Sequence, residues 1–211
     1  MKYVLVLIFL MILVACESNP TKPIPQKPDE PVTSYASLYW EKTTEIHPER
    51  IAWTNELSKI IEEHLPLYDA AKDIEEVCPK YFTLSNREKI KAIGEFWVAI
   101  AKHESSFNPK SSSVDVGTVG NFESYSQGLF QMSGRDNSAK KFNCNYACLL
   151  DPIMNIKVAT EQMRKQLNVE GLLYLDNKSI MRYWATILKN NKYSQIPDIN
   201  ARVKKYSPAC I

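Results

Sequence analysis

Apolar residues at helical spacing, Ile90, Ile93, Trp97 and Ile100, lead to Glu104, and the pattern then breaks at Ser105-Ser106-Phe107-Asn108-Pro109. Glu104 lies four residues beyond Ile100 and seven beyond Trp97, so a helix carries its carboxyl on the buried side. Burial disfavours the ionised form, and the negative end of the helix dipole pushes the same way. A glutamate that keeps its proton near neutral pH is what a general acid requires. The competing reading is a charge that reaches back to solvent or pairs with Lys102 or His103. Periodicity alone leaves both open.

A second stretch, Ser126-Gln127-Gly128-Leu129-Phe130-Gln131, sets a glycine in a polar turn before an apolar pair and a glutamine. Gly128 permits close backbone approach, and Gln131 offers an amide that both donates and accepts. Both suit a groove for an uncharged, amide-bearing sugar. Taken alone, the stretch also reads as an ordinary turn.

The elements that must position these residues are helical by pattern. Trp53, Leu57, Ile60, Ile61 and Leu65 follow His47-Pro48-Glu49 at helical spacing, and Pro66 closes the segment. Ser85-Asn86-Arg87-Glu88 is a capping box that opens the helix ending at Glu104. Asp151-Pro152 is an N-cap followed by proline at the first helical position, with Ile153, Ile156, Thr160, Met163 and Leu167 behind it. Ile180, Tyr183, Trp184, Ile187 and Leu188 predict a fourth helix, and a short final one runs from Pro197 to Tyr206. Val114 to Tyr125 is the one candidate for β structure, as a small hairpin or flap. The fold class is therefore all-α or nearly so, with one long loop or small β-flap after the helix of Glu104.

The two stretches together resemble the lytic transglycosylase (SLT) domain, which shares a lysozyme-like fold with goose-type lysozyme. Glu104-Ser105 with Phe107-Asn108-Pro109 matches the helix end that carries the family's catalytic glutamate. Ser126 to Gln131 matches the motif that lines its sugar groove, and Asp151-Pro152 with Asn155-Ile156 resembles the start of its next core helix. The resemblance covers roughly residues 85 to 190. It implies that Glu104 is catalytic and that Ser105, Ser126, Gly128, Leu129, Phe130, Gln131 and Tyr183 contact the glycan. Ser105 has an alternative as a helix-end hydroxyl serving unpaired backbone groups.

Two departures stand out. Where the family commonly has a late Ala-Tyr-Asn-like motif, this chain has Tyr183-Trp184-Ala185. Tyr183 fills the tyrosine position, with core packing as its alternative. An insert containing Asp115, Asn121 and Glu123 also lengthens the interval between Glu104 and Gly128.

The resemblance implies cleavage of the β-1,4 bond between N-acetylmuramic acid and N-acetylglucosamine by one carboxyl, giving 1,6-anhydro ends. No metal or cofactor is implied. The alternative on the same fold is hydrolysis, with Asp115 or Glu123 as the second carboxylate that positions water. A different class is a non-catalytic wall-binding lipoprotein. The implied partner is the glycan strand of peptidoglycan.

The first residues carry an address. Lys2 is followed by an apolar run, Tyr3 to Val14, shorter than the roughly 20 residues that span a bilayer. Leu13-Val14-Ala15-Cys16 resembles a bacterial lipobox, which predicts a signal peptide over 1–15 and lipid on Cys16. An ordinary secretory peptide is the alternative. Residues 16–34 repeat proline at Pro20, Pro23, Pro25, Pro28 and Pro31, the composition of an extended tether. A helical extension over 35–84 and the transglycosylase-like domain over 85–211 complete the expected organisation.

The expected location is the periplasm, with the lipid in a bilayer. Glu17, where an aspartate commonly retains lipoproteins in the inner membrane, favours the outer one. Four further cysteines, Cys78, Cys144, Cys148 and Cys210, suit two disulfides in an oxidising compartment. Of three connectivities, a local Cys144–Cys148 loop with Cys78–Cys210 is favoured, and the spacing suits zinc poorly. Net charge is +2 and no basic block interleaved with aromatics occurs, so nucleic acid is not indicated.

Overall fold

We describe the computed structural model over residues 34–114 and 125–211. The signal segment, Cys16, the tether and the insert bearing Asp115 and Glu123 lie outside the described residues.

Helices dominate. In chain order they are α1 (Arg50–Glu63), α2 (Leu65–Asp69), α3 (Ile74–Val77), α4 (Asn86–Ser105), α5 (Asn137–Lys141), α6 (Pro152–Glu170) and α7 (Ile196–Tyr206). Pro66 sits in the first turn of α2, where its missing N–H costs nothing, so the proline that ends one helix also starts the next. Both predicted caps form. Ser85 Oγ accepts from Glu88 N at 3.4 Å while Ser85 N donates to Glu88 Oε2 at 2.9 Å, and Asp151 Oδ1 accepts from Met154 N at 2.8 Å.

The axis of the fold is α4. From Ala92 to Ala101 every residue is buried, more than the single apolar face its sequence predicts. The reason is that α4 is wrapped by α1 and α7 and by the turn at Ala185–Ile187. Trp97 sits at the centre, edge-on to Phe130 and Trp184 at 5.1 and 5.6 Å, and its indole N–H donates to Tyr68 Oη at 3.0 Å. Residues ahead of α1 join the same core. Trp40 is fully buried, meets Trp53 edge-on and donates to Thr54 Oγ1 at 2.8 Å.

After α4 the chain forms an antiparallel sheet in the order β1 (Ser112–Val114), β2 (Tyr125–Gln127), β3 (Met132–Ser133). The expected β segment, Val114 to Tyr125, lies outside the described residues except at its two ends, which fall in β1 and β2. Further on, β4 (Leu175–Asp176) pairs in parallel with β5 (Leu188–Lys189).

The predicted fourth helix does not form. Residues 180–184 are irregular and lead into a 3₁₀ turn over Ala185–Ile187. The apparent stripe mixes environments: Ile180 is 86% exposed, whereas Trp184 and Ile187 are buried. Trp184 is held from outside by donation of its indole N–H to the Phe130 carbonyl at 2.9 Å, and Leu188 is drawn into the β4 pairing.

Two disulfides form, Cys78–Cys210 and Cys144–Cys148. The first ties the end of α3 to the last residues, and the second closes the turn after α5. Among the described residues no helix is long and apolar enough to cross a membrane.

Candidate active site

Glu104 is in the last turn of α4 and lines a cavity of about 620 Å³ bounded by the three-stranded sheet, the start of α5 and residues 183–186. The helix stops because Ser106 and Phe107 both take left-handed backbone, at φ 54° and 67°. For residues with side chains this costs about 1–2 kcal/mol each. Phe107 is buried against Tyr39, beneath Arg50 and Lys102, so the reversal plants an aromatic anchor just past the helix end. Asn108 then accepts from Lys110 N at 2.9 Å and completes the turn.

The Glu104 carboxyl is pushed up to about 7, chiefly by burial, while a hydrogen bond from Thr186 acts the other way. Thr186 Oγ1 donates to Glu104 Oε1 at 2.8 Å. Burial of Ile93, Phe96, Trp97 and Ile100 contributes about 1.5–3 kcal/mol each, which outweighs both the strained turn and the desolvated carboxyl. The alternative pairing of Glu104 with its helix neighbours is overturned. His103 faces Asp198 of α7 at 2.8 Å, and Lys102 lies over the Phe107 ring.

A raised carboxyl is not a site marker on its own. Glu95 on the same helix is also pushed up to about 7 by burial, with Lys91 opposing. Glu95, however, accepts from Tyr39 N at 3.1 Å and faces the packed segment ahead of α1. Glu104 faces the cavity.

The Ser126–Gln131 stretch builds the cavity wall in a different manner from that expected. In the sheet Ser113 is paired with Ser126, and Ser126 with Ser133, so three serines stand in a row across adjacent strands and all line the cavity. Gly128 has φ 78°, and a Cβ there would run into Asn155 Nδ2 and the Leu149 carbonyl. Asn155, fully buried, latches the turn: its amide donates to the carbonyls of Gln127 and Leu149 at 2.8 and 2.9 Å and accepts from Phe130 N at 2.8 Å.

Leu129 and Phe130 are wholly buried and support the wall from behind, so they do not contact the glycan. Gln131 lines the cavity, but its carboxamide is committed. It accepts from Ser113 Oγ at 2.8 Å and donates to the Gly128 carbonyl at 2.9 Å, cross-bracing the wall. Ser105 donates its hydroxyl to the Ala101 carbonyl at 3.1 Å, which fits the helix-end alternative, and it is not among the residues that line the cavity.

Tyr183 lines the cavity, and its hydroxyl donates to Asp136 Oδ2 at 2.7 Å while accepting from Ser133 N at 2.8 Å. It braces the cavity rim, and the hydroxyl bonded to Glu104 belongs to Thr186. Sequence reasoning missed Thr186, Asp136, Arg135 and Tyr193, all of which line the cavity. Asp136 had a readable signal as the residue before α5, in the N-cap position. Thr186 had none, because its segment read as helix.

Residues 86–183 match the transglycosylase SLT domain family. Over this stretch the chain is similar to an SLT domain. The match begins at the first residue of α4 and ends at Tyr183, enclosing Glu104, the serine row and Asn155. The fold is similar to that of DslA, wild-type form 2, with a TM-score of 0.67 and 20% identity over 84% of this chain and 98% of that one. Two glutamate-to-glutamine variants of DslA align comparably, each over 82% of this chain and 96% of theirs, with TM-scores of 0.67 and 0.66. At this identity the likeness is one of fold. No curated protein sequence matches. The SLT domain supports a peptidoglycan-cleaving function of the lytic transglycosylase kind.

Proposed function

We propose that the protein is a membrane-anchored lytic transglycosylase that cleaves the β-1,4 bond between N-acetylmuramic acid and N-acetylglucosamine with Glu104 as general acid and then base. The observation that carries this reading is the half-buried Glu104 carboxyl that lines the cavity, accepts a hydrogen bond from Thr186 and is pushed up to about 7. A carboxyl so displaced keeps a protonated fraction at neutral pH to start the reaction, and the carboxylate it leaves can take a proton back.

Glu104 protonates the glycosidic oxygen as the bond to the anomeric carbon breaks. The substrate's own N-acetyl group stabilises the positive charge that develops there. The resulting carboxylate then removes the proton of the 6-hydroxyl, whose oxygen bonds to the anomeric carbon and closes the 1,6-anhydro ring. Glu104 ends protonated and no water is consumed. The serine row, Gln131 and Tyr183 shape the wall against which the sugar sits.

The lipobox, the proline-rich tether and the two disulfides support a chain held by lipid on Cys16 in the periplasm, at the outer membrane. Mass spectrometry of murein digests tests the chemistry. Anhydro ends are expected from the wild type, with a loss of at least about 100-fold in Glu104→Gln. Unchanged solubilisation by that variant leaves a wall-binding role in place of catalysis.

A hydrolytic outcome is the second reading, favoured by one observation: Asp136 shares the cavity with Glu104. Its Oδ2 accepts from Tyr183, so water would be positioned through Oδ1. Reducing ends in the same digests, lost in Asp136→Asn, establish this reading and exclude the first.

A further inference from the structure

We propose that Thr186 is a positioning residue for Glu104: its hydroxyl holds one carboxyl oxygen, leaves the transferable proton on the other, and supports the anion formed midway through the reaction. The inference rests on the reading of Glu104 as acid and base. It goes beyond the family likeness, because Thr186 lies outside the matched residues 86–183.

The geometry is specific. Thr186 Oγ1 donates to Oε1 of Glu104 at 2.8 Å, and both residues line the cavity. The hydroxyl is delivered by a backbone fixed on three sides. Trp184 is buried and donates to the Phe130 carbonyl, Ile187 is buried, and the Thr186 carbonyl accepts from Gln195 N at 2.8 Å. A β-branched side chain on such a backbone has few rotamers to choose from. A hydroxyl also suits a group that changes charge twice, since it can donate to Oε1 whether the carboxyl is ionised or carries its proton on Oε2. A lysine or arginine in its place would stabilise the anion alone and disable the acid step.

Among the described residues, the other titratable groups on the last turn of α4 and several of those around the cavity are engaged elsewhere. Tyr183 bonds to Asp136, and on α4 itself His103 is paired with Asp198 of α7 while Lys102 covers Phe107. Arg135 and Tyr193 line the same cavity. The carboxyl of Glu104 is displaced by burial and by Thr186. Removing the hydroxyl therefore raises the titration of Glu104 further and weakens the anion that proton transfer creates.

The test is the pH–rate profile of the full chain on purified murein, for wild type, Thr186→Val, Thr186→Ala and Thr186→Ser. With the protonated glutamate as the active form, rate falls as pH rises through its titration. The Val and Ala variants are expected to lose about 10- to 100-fold in kcat and to move this falling limb upward by about one pH unit. KM and the melting temperature stay near wild-type values, and Ser recovers most of both effects. A Val or Ala variant with an unmoved limb overturns the proposal, as does a loss that Ser fails to rescue.

Glu104→Gln, run alongside, separates the two levels. If it retains turnover, the reading of Glu104 falls and this one with it. If it is inactive while the Val and Ala profiles match wild type, Thr186 alone is excluded.

Discussion

Replacing Glu104 by glutamine is expected to make the protein more stable, and only at the upper end of the pH range. The folded state holds the Glu104 proton up to about pH 7, against an ordinary value of 4.5. As pH climbs past 4.5 the unfolded chain releases this proton while the folded protein retains it, so stability falls. The fall ends once Glu104 ionises in the folded state near 7. Its favourable contribution is thus present in full below 4.5 and gone above 7. The interval corresponds to about 3 kcal/mol at about 1.4 kcal/mol per pH unit.

Glutamine has the same shape, carries no charge, and still offers Thr186 an oxygen to donate to. Wild type and Glu104→Gln should unfold alike at pH 4 and differ by about 3 kcal/mol at pH 8, with the variant the more stable. For a domain of this size that is roughly 6–12 °C in melting temperature. Urea unfolding followed by tryptophan fluorescence at both pH values is the assay. A difference that is the same at pH 4 and pH 8, or a variant destabilised at pH 8, refutes the claim that burial of a chargeable group sets the Glu104 titration. Glu95→Gln should change with the same sign but less, because Lys91 then loses its carboxylate.

Other expectations concern the frame around the cavity. Replacing Cys78 and Cys210 together by serine should cost about 5 kcal/mol in denaturant unfolding, against about 2 kcal/mol for Cys144 and Cys148, because the closed loops differ so widely at separations of 132 and 4 residues. Gly128→Ala should destabilise by about 1–3 kcal/mol and abolish murein cleavage, since its Cβ displaces Asn155 and its φ suits no side chain. Tyr183→Phe should lower kcat while costing only about 1 kcal/mol of stability, read from turnover and thermal melting together, because it frees Asp136 and Ser133 N at a solvated rim.

What the sequence made legible was whatever is decided locally. The caps at Ser85 and Asp151 form as their spacing predicts, since a capping hydrogen bond spans three residues. The favoured disulfide pairing forms, and Glu104 falls on the apolar side of its helix. What stayed illegible depends on distant partners. The 180–188 segment has a helical stripe, yet a carbonyl 54 residues upstream claims Trp184 and a parallel strand claims Leu188. Thr186 meets Glu104 across 82 residues, a distance no periodicity reports. Gln131 looked like a sugar ligand by chemical type, but Ser113 and the Gly128 turn use its amide first.

The two ends of α4 give that helix a property of its own: it is a ruler. Its start is set by the reciprocal bonds between Ser85 and Glu88, and its finish by Phe107 seated in the core. Neither terminus depends on Glu104, but together they set where its carboxyl points. Losing one residue between them would turn everything downstream by about 100° and draw it back about 1.5 Å, swinging the acid away from Thr186 and the serine row. Twenty residues is therefore a dimension of the active site as much as the length of a helix. A change in chain length near this site has to be absorbed outside the helix if Glu104 is to keep its place.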